Sequence, residues 1–288
     1  MQFFPRRVYA DAAAATPLSP RARKTLSRLL YIYGNAGGFH QEALEAKREL
    51  EEARGRVAEA LDAHRDEILF TGGGTEGNNM ALGGAVSALS GRYGDIHVLM
   101  SVIEHPSVLE PLRAMALEGH IELTELPVER DGRLDLKVFK EAIRPNTALV
   151  SIQMINSEMG TIQDIREIAK IIRHERRKRS SEIPQERGKS SAEDFPMSVA
   201  VATPNVPSEF ATSLPLIFHT DASQAPLWLP LAVWAEEEHQ ILATTRGSVL
   251  PPPVRTGKHG RLPTHLRHGS VTSTKLLYSW VTLAMWAR

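Results

Sequence analysis

Four polar clusters in this sequence contain residue types that can bind a charged ligand. They are the glycine-rich segment Gly72-Gly-Gly-Thr-Glu-Gly, the segment Ile103-Glu-His-Pro around His105, Asn156-Ser-Glu-Met-Gly, and Asp221-Ala-Ser-Gln. A glycine-rich turn leading into a helix directs backbone N–H groups at one point, which suits a phosphate, although the pattern also fits a plain tight turn. The glycine spacing matches neither the P-loop nor the dinucleotide-binding fingerprint.

The residue types of three clusters fit the binding of a phosphorylated pyridine ring. A pyridine used as an electron sink needs a carboxylate at its ring nitrogen, an imidazole or aromatic ring over its face, and a cradle for its phosphate. Asp221, His105 and the pair Gly74 and Thr75 have the types for these three tasks. Taken singly, an aspartate at a strand end also caps turns, and a lone histidine is usually structural. Their combination predicts a cofactor site.

The hydrophobic pattern predicts elements that bring these clusters together. Short β-like runs alternate with amphipathic helices, which indicates an α/β fold with a mostly parallel sheet and helices on both faces. Thr75 is the expected cap of the helix that follows the glycine turn. The predicted strands are 67–71, 97–101, 121–126, 147–153 and 216–221, and the predicted helices are 41–61, 106–116, 136–143 and 164–179. In such a sheet, ligands bind at the carboxyl ends of the strands, where the polar clusters fall.

Composition and charge exclude several classes of function. The chain has 288 residues, 42% hydrophobic and 24% charged, with 34 basic residues against 34 acidic ones. This balance favours neither a nucleic-acid nor a membrane partner, and no segment approaches the roughly 18 apolar residues of a spanning helix. The N-terminus lacks the apolar run of a signal peptide, so we expect a cytoplasmic protein. The absence of cysteine from this sequence excludes disulfides, thiolate metal sites and a cysteine nucleophile within it.

Two segments interrupt the alternation and set the predicted domain limits. Residues 1–235 are expected to form the large domain, with 176–215, which is basic and then rich in Ser, Pro and Glu, as a disordered insertion. A solvated loop explains its basic run better than a nucleic-acid site. Residues 236–288 form an atypical tail, because no Asp or Glu occurs from His239 to Arg288. A reading-frame shift near 232–245 and a genuine truncated paralogue both explain this tail.

The motifs together resemble one family, the cysteine desulfurases of the class V aminotransferases, which are fold-type I pyridoxal-phosphate enzymes. The resemblance covers about Val8 to Leu229 without the insertion, and six motifs occur in the family order. They are Val8-Tyr-Ala-Asp-Ala-Ala-Ala-Ala-Thr-Pro-Leu, Tyr33-Gly-Asn-Ala-Gly-Gly-Phe-His, Phe70-Thr-Gly-Gly-Gly-Thr-Glu-Gly-Asn-Asn, Ile103-Glu-His-Pro-Ser-Val, Asn156-Ser-Glu-Met-Gly-Thr-Ile-Gln-Asp and His219-Thr-Asp-Ala-Ser-Gln.

The resemblance assigns a role to each site residue. It implies that Gly74 and Thr75 bind the phosphate of pyridoxal 5'-phosphate, that His105 stacks on the ring and acts in catalysis, and that Asp221 pairs with the ring nitrogen. Gln224 would contact the ring hydroxyl. The family asparagine that helps at that hydroxyl falls at Ser157, with Asn156 just before it. The resemblance implies no metal.

Two family features are missing from this sequence. The lysine that forms the Schiff base would fall near Gly247 and Ser248; Lys258 is the nearest substitute and Lys275 a more distant one, and neither has the family's Gly-Pro context. The catalytic cysteine and the small C-terminal domain belong to later family segments. We therefore expect a C-terminally truncated or frame-shifted relative with little or no activity.

The resemblance also implies a reaction and partners. The family reaction converts L-cysteine to L-alanine and transfers the sulfur to an enzyme cysteine as a persulfide, for a sulfur-acceptor protein and iron–sulfur cluster assembly. Family members are usually homodimers. The alternatives are another class V enzyme, such as an aminotransferase or selenocysteine lyase, and a non-catalytic module that binds pyridoxal phosphate or a protein partner.

Overall fold

The computed structural model describes residues 8–11, 14–61, 63–181, 214–225 and 241–244, the last by their backbone. The strands are β1 (His97–Ser101), β2 (Glu122–Leu126), β3 (Thr147–Ser151), β4 (Ile217–Asp221) and β5 (Ile241–Thr244). The helices are α1 (Pro20–Leu29), α2 (Gln41–Leu61), α3 (Gly74–Tyr93), α4 (Pro106–Leu117), α5 (Leu136–Ala142) and α6 (Ile165–Ser181), with a 3₁₀ turn at Arg65–Glu67. None of these helices is long and apolar enough to cross a membrane.

The strands form one parallel sheet in the order β2-β1-β3-β4-β5. Every neighbouring pair runs parallel, with β1 placed between β2 and β3. Successive parallel strands need crossover connections, which α4 and α5 supply between β1, β2 and β3. The chain leaves β1 toward β2 on one side and later returns to place β3 on the other. Between β1 and β3 lies the point where ligands bind in open α/β sheets.

Helices cover both faces of the sheet, as predicted. On one face, Leu99 and Val150 pack in a core with Phe139 of α5 and Ile168 of α6. The opposite face is covered by α3 and α4, and its core includes Leu82, Leu112, Val98, Met100 and Leu149. The strands β1 and β3 are buried along their whole length. Strands enclosed on both faces are therefore continuous apolar runs, as the sequence pattern indicated.

The predicted strand at 67–71 is wrong. This segment follows the 3₁₀ turn and pairs with no strand of the described part of the chain. Its first apolar residue, Ile68, is buried in the core, and the carbonyl of Ile68 accepts a hydrogen bond from the guanidinium of Arg54 in α2. Arg54 also lies 4.9 Å from the centroid of the Phe70 ring. The Arg54 side chain thus contacts this segment at two residues, Ile68 and Phe70.

The limits of the insertion and of the tail differ from the expected ones. Residues 176–179, predicted both as the end of the helix 164–179 and as the start of the insertion, belong to α6, which continues to Ser181. Arg176 donates to the carbonyl of Leu216 at 2.8 Å, and Arg179 donates to the carbonyl of Thr147 at 2.8 Å, so this end of α6 is fastened to the sheet. The backbone of β5, inside the predicted tail, pairs with β4. The remainder of the insertion, 182–213, and most of the tail lie outside the described residues.

Candidate functional site

The four polar clusters lie at one edge of the sheet, because each follows the carboxyl end of a parallel strand or begins a helix beside it. His105 follows β1 and is the N-cap of α4. Asn156 follows β3, and Asp221 is the last residue of β4. Gly74 is the first residue of α3 and lies close to the segment after β4, since a Cβ added to it would lie 3.5 Å from the Ser223 hydroxyl oxygen.

The glycine-rich turn leads directly into the N-terminus of α3. Its N-cap is Gly73, rather than the predicted Thr75, which lies one position inside the helix after Gly74. The N–H groups of a first helical turn have no partner within the helix and carry the positive end of the helix dipole. The side chain of Glu76 bends back to accept a hydrogen bond from the Gly72 N–H. The turn can therefore hold an anion, and a carboxylate of the chain already lies beside it.

The carboxylate of Asp221 is buried and held by two donors. Its Oδ1 accepts from the backbone N–H of Ser223 at 2.9 Å, and its Oδ2 accepts from the Asn78 side-chain amide at 2.9 Å. Asp221 is only 8% exposed. One donor on each oxygen fixes the plane of the carboxyl group and leaves acceptor capacity on both oxygens. This is the arrangement that binds a cationic N–H group.

Asn78 links Asp221 to His105 through Ser107. The Asn78 amide also donates to the Ser107 hydroxyl at 2.8 Å, and that hydroxyl lies 2.7 Å from Nδ1 of His105. The Ser107 backbone N–H donates to the same Nδ1 at 3.1 Å. Sequence reasoning missed Asn78 and Ser107. The helical spacing held a signal for Asn78, which lies four residues after Gly74 and thus on the same face of α3.

The segments before His105 and after β3 are bound to each other. The carbonyl of Ile103 accepts hydrogen bonds from the side chains of Gln153 and Asn156. The Glu104 carboxylate oxygen Oε1 accepts from the Gln153 N–H at 2.6 Å. Burial raises the pKa of Glu104 well above its usual range, the Gln153 N–H opposes this rise, and the charge of Asp221 adds to it. The other oxygen, Oε2, is buried and has no partner among the described residues.

Asn156 and Ser157 lie at the predicted edge but in different surroundings. The Oδ1 of Asn156 accepts from the N–H groups of Glu158 at 2.9 Å and Met159 at 2.7 Å, and its amide donates to Ile103. This amide therefore organises the loop after β3. Ser157 is exposed. A contact of either residue with a ligand stays a prediction.

Two buried residues flank Asp221. Gln224 is 7% exposed, and its side-chain amide makes no hydrogen bond to a described residue. His219 is fully buried, with its Nδ1 2.8 Å from the Ser151 hydroxyl. Burial lowers the pKa of His219 to about 4, against the opposing charge of Asp221, so its ring is neutral near neutral pH. Lys258 and Lys275 lie outside the described residues, and within those residues no cluster of His, Asp or Glu could hold a metal ion.

Most of the described elements lie in the part of the chain that matches known proteins. The sequence model of the family Aminotransferase class-V matches residues 8–178. Cysteine desulfurase IscS of Dictyoglomus turgidum is 42% identical over 167 residues, which cover 58% of this chain and 42% of that protein. The mitochondrial cysteine desulfurase of Saccharomyces cerevisiae is 40% identical over 173 residues, or 59% of this chain and 34% of its own length. The chain thus matches less than half the length of these relatives.

Solved structures give the same fold. A NifS-like protein matches with a TM-score of 0.65 at 24% identity, over 83% of this chain and 55% of its own. A structure described as SspA in complex with cysteine matches with a TM-score of 0.63 at 26% identity, over 82% of this chain and 56% of its own. These likenesses confirm the predicted fold class, that of the NifS-like fold-type I proteins. The chain belongs to the class-V aminotransferase family, and the two relatives described above are named cysteine desulfurases.

Proposed function

We propose that this chain is a cysteine desulfurase-like protein that binds pyridoxal 5'-phosphate at the edge formed by Gly74, His105 and Asp221, and that by itself it has little or no desulfurase activity. The observation that carries the proposal is the buried Asp221 carboxylate, joined through side chains to His105 and lying beside the open N-terminus of α3. The family's dependence on this cofactor supports the identity of the ligand.

The residues at this edge fit the cofactor. The first turn of α3 would hold the phosphate, with Gly74 allowing close approach of the backbone and Thr75 offering a hydroxyl. Asp221 would hold a proton on the ring nitrogen, since its two oxygens are aligned by Ser223 and Asn78. His105 is exposed and follows β1, where it could cover the ring. The buried amide of Gln224 is available for the ring hydroxyl, with Asn156 or Ser157 as further candidates.

When bound, pyridoxal phosphate supplies an electron sink for reactions at the α-carbon of an amino acid. The chain's own residues would orient that group and keep its nitrogen protonated. L-cysteine is the proposed substrate of the complete reaction, because the relatives are named cysteine desulfurases and one structural neighbour was solved with cysteine. A sulfur-acceptor protein, a role in iron–sulfur cluster assembly, a homodimer and a cytoplasmic location are further parts of this proposal.

Low activity is proposed because the sequence lacks two groups of the family reaction. The sulfur acceptor of that reaction is a cysteine thiolate, and this sequence contains no cysteine. Gly247 and Ser248 occupy the position near which the family lysine would fall. Binding without a covalent lysine bond follows from the second absence. The site would then act as a binding module unless Lys258 replaces the family lysine.

The test is titration of the purified chain with pyridoxal phosphate, followed by absorbance and by quenching of tryptophan fluorescence. Asp221→Asn should weaken binding about 10- to 100-fold, because a hydrogen bond to a charged group contributes about 1.5–3 kcal/mol. The control is Asp131→Asn, an exposed aspartate in the turn before Arg133, which should leave affinity unchanged. Absence of binding to the wild-type chain, or equal loss in both variants, would contradict the proposal.

A second experiment addresses the covalent bond and the activity. After treatment with pyridoxal phosphate and borohydride, peptide mapping should find no pyridoxyl-lysine, and L-cysteine should yield no alanine. An adduct at Lys258 together with alanine release would overturn the proposed lack of activity. An adduct without turnover would overturn only the non-covalent binding.

A further inference from the structure

Four hydrogen bonds join a carboxylate on β4 to an imidazole after β1. Asn78 donates to Asp221 Oδ2 at 2.9 Å and to the Ser107 hydroxyl at 2.8 Å. The Ser107 hydroxyl oxygen and the Ser107 backbone nitrogen lie 2.7 Å and 3.1 Å from Nδ1 of His105. Asn78 is fully buried, and Asp221 and Ser107 are 8% and 7% exposed. Bulk water therefore has little access to this chain of bonds.

The donor and the acceptor of each hydrogen bond follow from the contact between Asn78 and Asp221. Because a carboxylate only accepts, the group of Asn78 that faces Asp221 is its NH₂, and this NH₂ also donates to Ser107. The Ser107 hydroxyl, having accepted from Asn78, has its own hydrogen free for the acceptor on its other side, Nδ1 of His105. The backbone N–H of Ser107 is a donor in every state. Nδ1 therefore accepts two hydrogen bonds, and the proton of the neutral imidazole is on Nε2.

We propose that Asn78 and Ser107 form a hydrogen-bond relay that couples the carboxylate of Asp221 to the imidazole of His105 and keeps the proton of that imidazole on Nε2. Both are positioning residues, since they act through Asp221 and His105 and not on a ligand directly. The relevance of the relay to a cofactor ring rests on the proposed function, whereas its existence does not. In the described part of the chain Nε2 has no partner, so the relay presents an N–H donor at the exposed face of His105.

The direction of the hydrogen bonds in the relay depends on the side-chain amide of Asn78, which gives the relay a second consequence. If Asn78 becomes an aspartate, the shape is retained but the donor group is replaced by a charged acceptor. The Ser107 hydroxyl would then turn toward the new carboxylate, since hydrogen bonds to ionised acceptors are about twice as strong as neutral ones. Nδ1 of His105 would then lose the hydroxyl as a donor and keep only the backbone N–H of Ser107.

The test is nitrogen-15 NMR of the histidine side chains in the full chain without any cofactor. His105 is assigned by the loss of its signals in His105→Asn. In the wild-type chain, Nδ1 should have the shift of an unprotonated nitrogen and Nε2 that of a protonated one. Asn78→Asp should move the Nδ1 signal further downfield, because Nδ1 loses the Ser107 hydroxyl as one of its two donors. Asn79→Asp is the matched control, since Asn79 is exposed and donates to the carbonyl of Thr75, and it should leave both signals unchanged.

Ser107→Ala separates the relay from a simple effect of charge. It removes the hydroxyl and retains the backbone N–H, so the Nδ1 signal should move downfield as one of its two donors is lost. The double variant Asn78→Asp/Ser107→Ala should have the same Nδ1 signal as Ser107→Ala, because Asn78→Asp acts through the hydroxyl that is already absent. An unchanged Nδ1 in Ser107→Ala, or a further change when Asn78→Asp is added to Ser107→Ala, would overturn the relay. Because Ser107→Ala is small, this test stands even if Asn78→Asp does not fold.

Failure of the relay and failure of the proposed function can be distinguished, because they are measured on different samples. The tautomer of His105 is measured without cofactor, and pyridoxal phosphate binding is measured by titration. A wild-type chain with the predicted tautomer but no cofactor binding would leave the relay intact and contradict the proposed function. Binding with the opposite tautomer would do the reverse.

Discussion

His97 should make the protein sensitive to acid, and the size of the effect follows from its surroundings. His97 begins β1 and is fully buried, with Nδ1 2.8 Å from the Thr147 hydroxyl and Nε2 2.9 Å from the Thr124 hydroxyl. Burial lowers the pKa of His97 from 6.5 to about 4, and the nearby Arg144 lowers it further than Glu122 raises it. Both ring nitrogens are thus satisfied by hydroxyls while the ring is neutral.

The direction of the pH effect on stability follows from the difference in proton binding between the folded and the unfolded chain. Between pH 6.5 and about pH 4 the unfolded chain carries a proton on His97 that the folded chain does not, so the free energy of unfolding falls as the pH falls. Integration of this difference from pH 7 to pH 5 gives a loss of about 2 kcal/mol. His219, whose pKa is also lowered to about 4, contributes in the same direction. Replacement of His97 measures the part of this pH-dependent loss of stability that is due to His97 alone.

The assay is urea unfolding of the wild-type chain, His97→Gln and His120→Gln at pH 7 and pH 5. His97→Gln should be less stable at pH 7, because two buried hydroxyls lose their geometry, but its loss on going to pH 5 should be about 2 kcal/mol smaller than that of the wild type. His120 has a side chain 63% exposed, so His120→Gln should follow the wild type at both pH values. Equal pH dependence in the wild type and His97→Gln would refute the reasoning.

Three further predictions concern stability. Because burial raises the pKa of Glu104, the folded chain holds a proton that the unfolded chain releases as the pH rises above 4.5, so stability should fall as the pH rises through this region. Glu104→Gln should remove this fall, measured by urea unfolding. Gly132 has a φ of +80°, and a Cβ there would lie 2.7 Å from the Thr161 hydroxyl. Gly132→Ala should therefore lower the melting temperature by the equivalent of about 1–3 kcal/mol, while Gly91→Ala, on an open face of α3, should raise stability by up to about 1 kcal/mol.

The parts of the fold that sequence predicts are those decided by local pattern. The helix 41–61 has the predicted limits, because charged and apolar residues alternate at helical spacing along it. The strand β1 is a short apolar run whose limits also match the prediction. The segment 67–71 has the same kind of pattern but pairs with no strand of the described residues, and the carbonyl of Ile68 accepts a hydrogen bond from the guanidinium of Arg54. A local pattern cannot reveal a partner that lies elsewhere in the chain.

The candidate site likewise has one part that the sequence predicts and another that it does not. That His105 and Asp221 meet at one edge could be predicted, because both follow parallel strands. The bonds between them could not, because Asn78 lies inside a helix and Ser107 inside another, where polar residues usually face solvent. Only the packing of α3 and α4 against the same face of the sheet brings these two side chains together.

The two contacts of the Asn78 amide differ greatly in their distance along the chain. Ser107 is 29 residues from Asn78, whereas Asp221 is 143 residues away. Closing the longer loop costs about 1.4 kcal/mol more chain entropy than closing the shorter one. During synthesis, the contact with Ser107 can form long before Asp221 leaves the ribosome. The Asn78 amide should therefore bind the Ser107 hydroxyl first and the Asp221 carboxylate later, so the proposed site would be completed only after the chain as far as Asp221 has been synthesised.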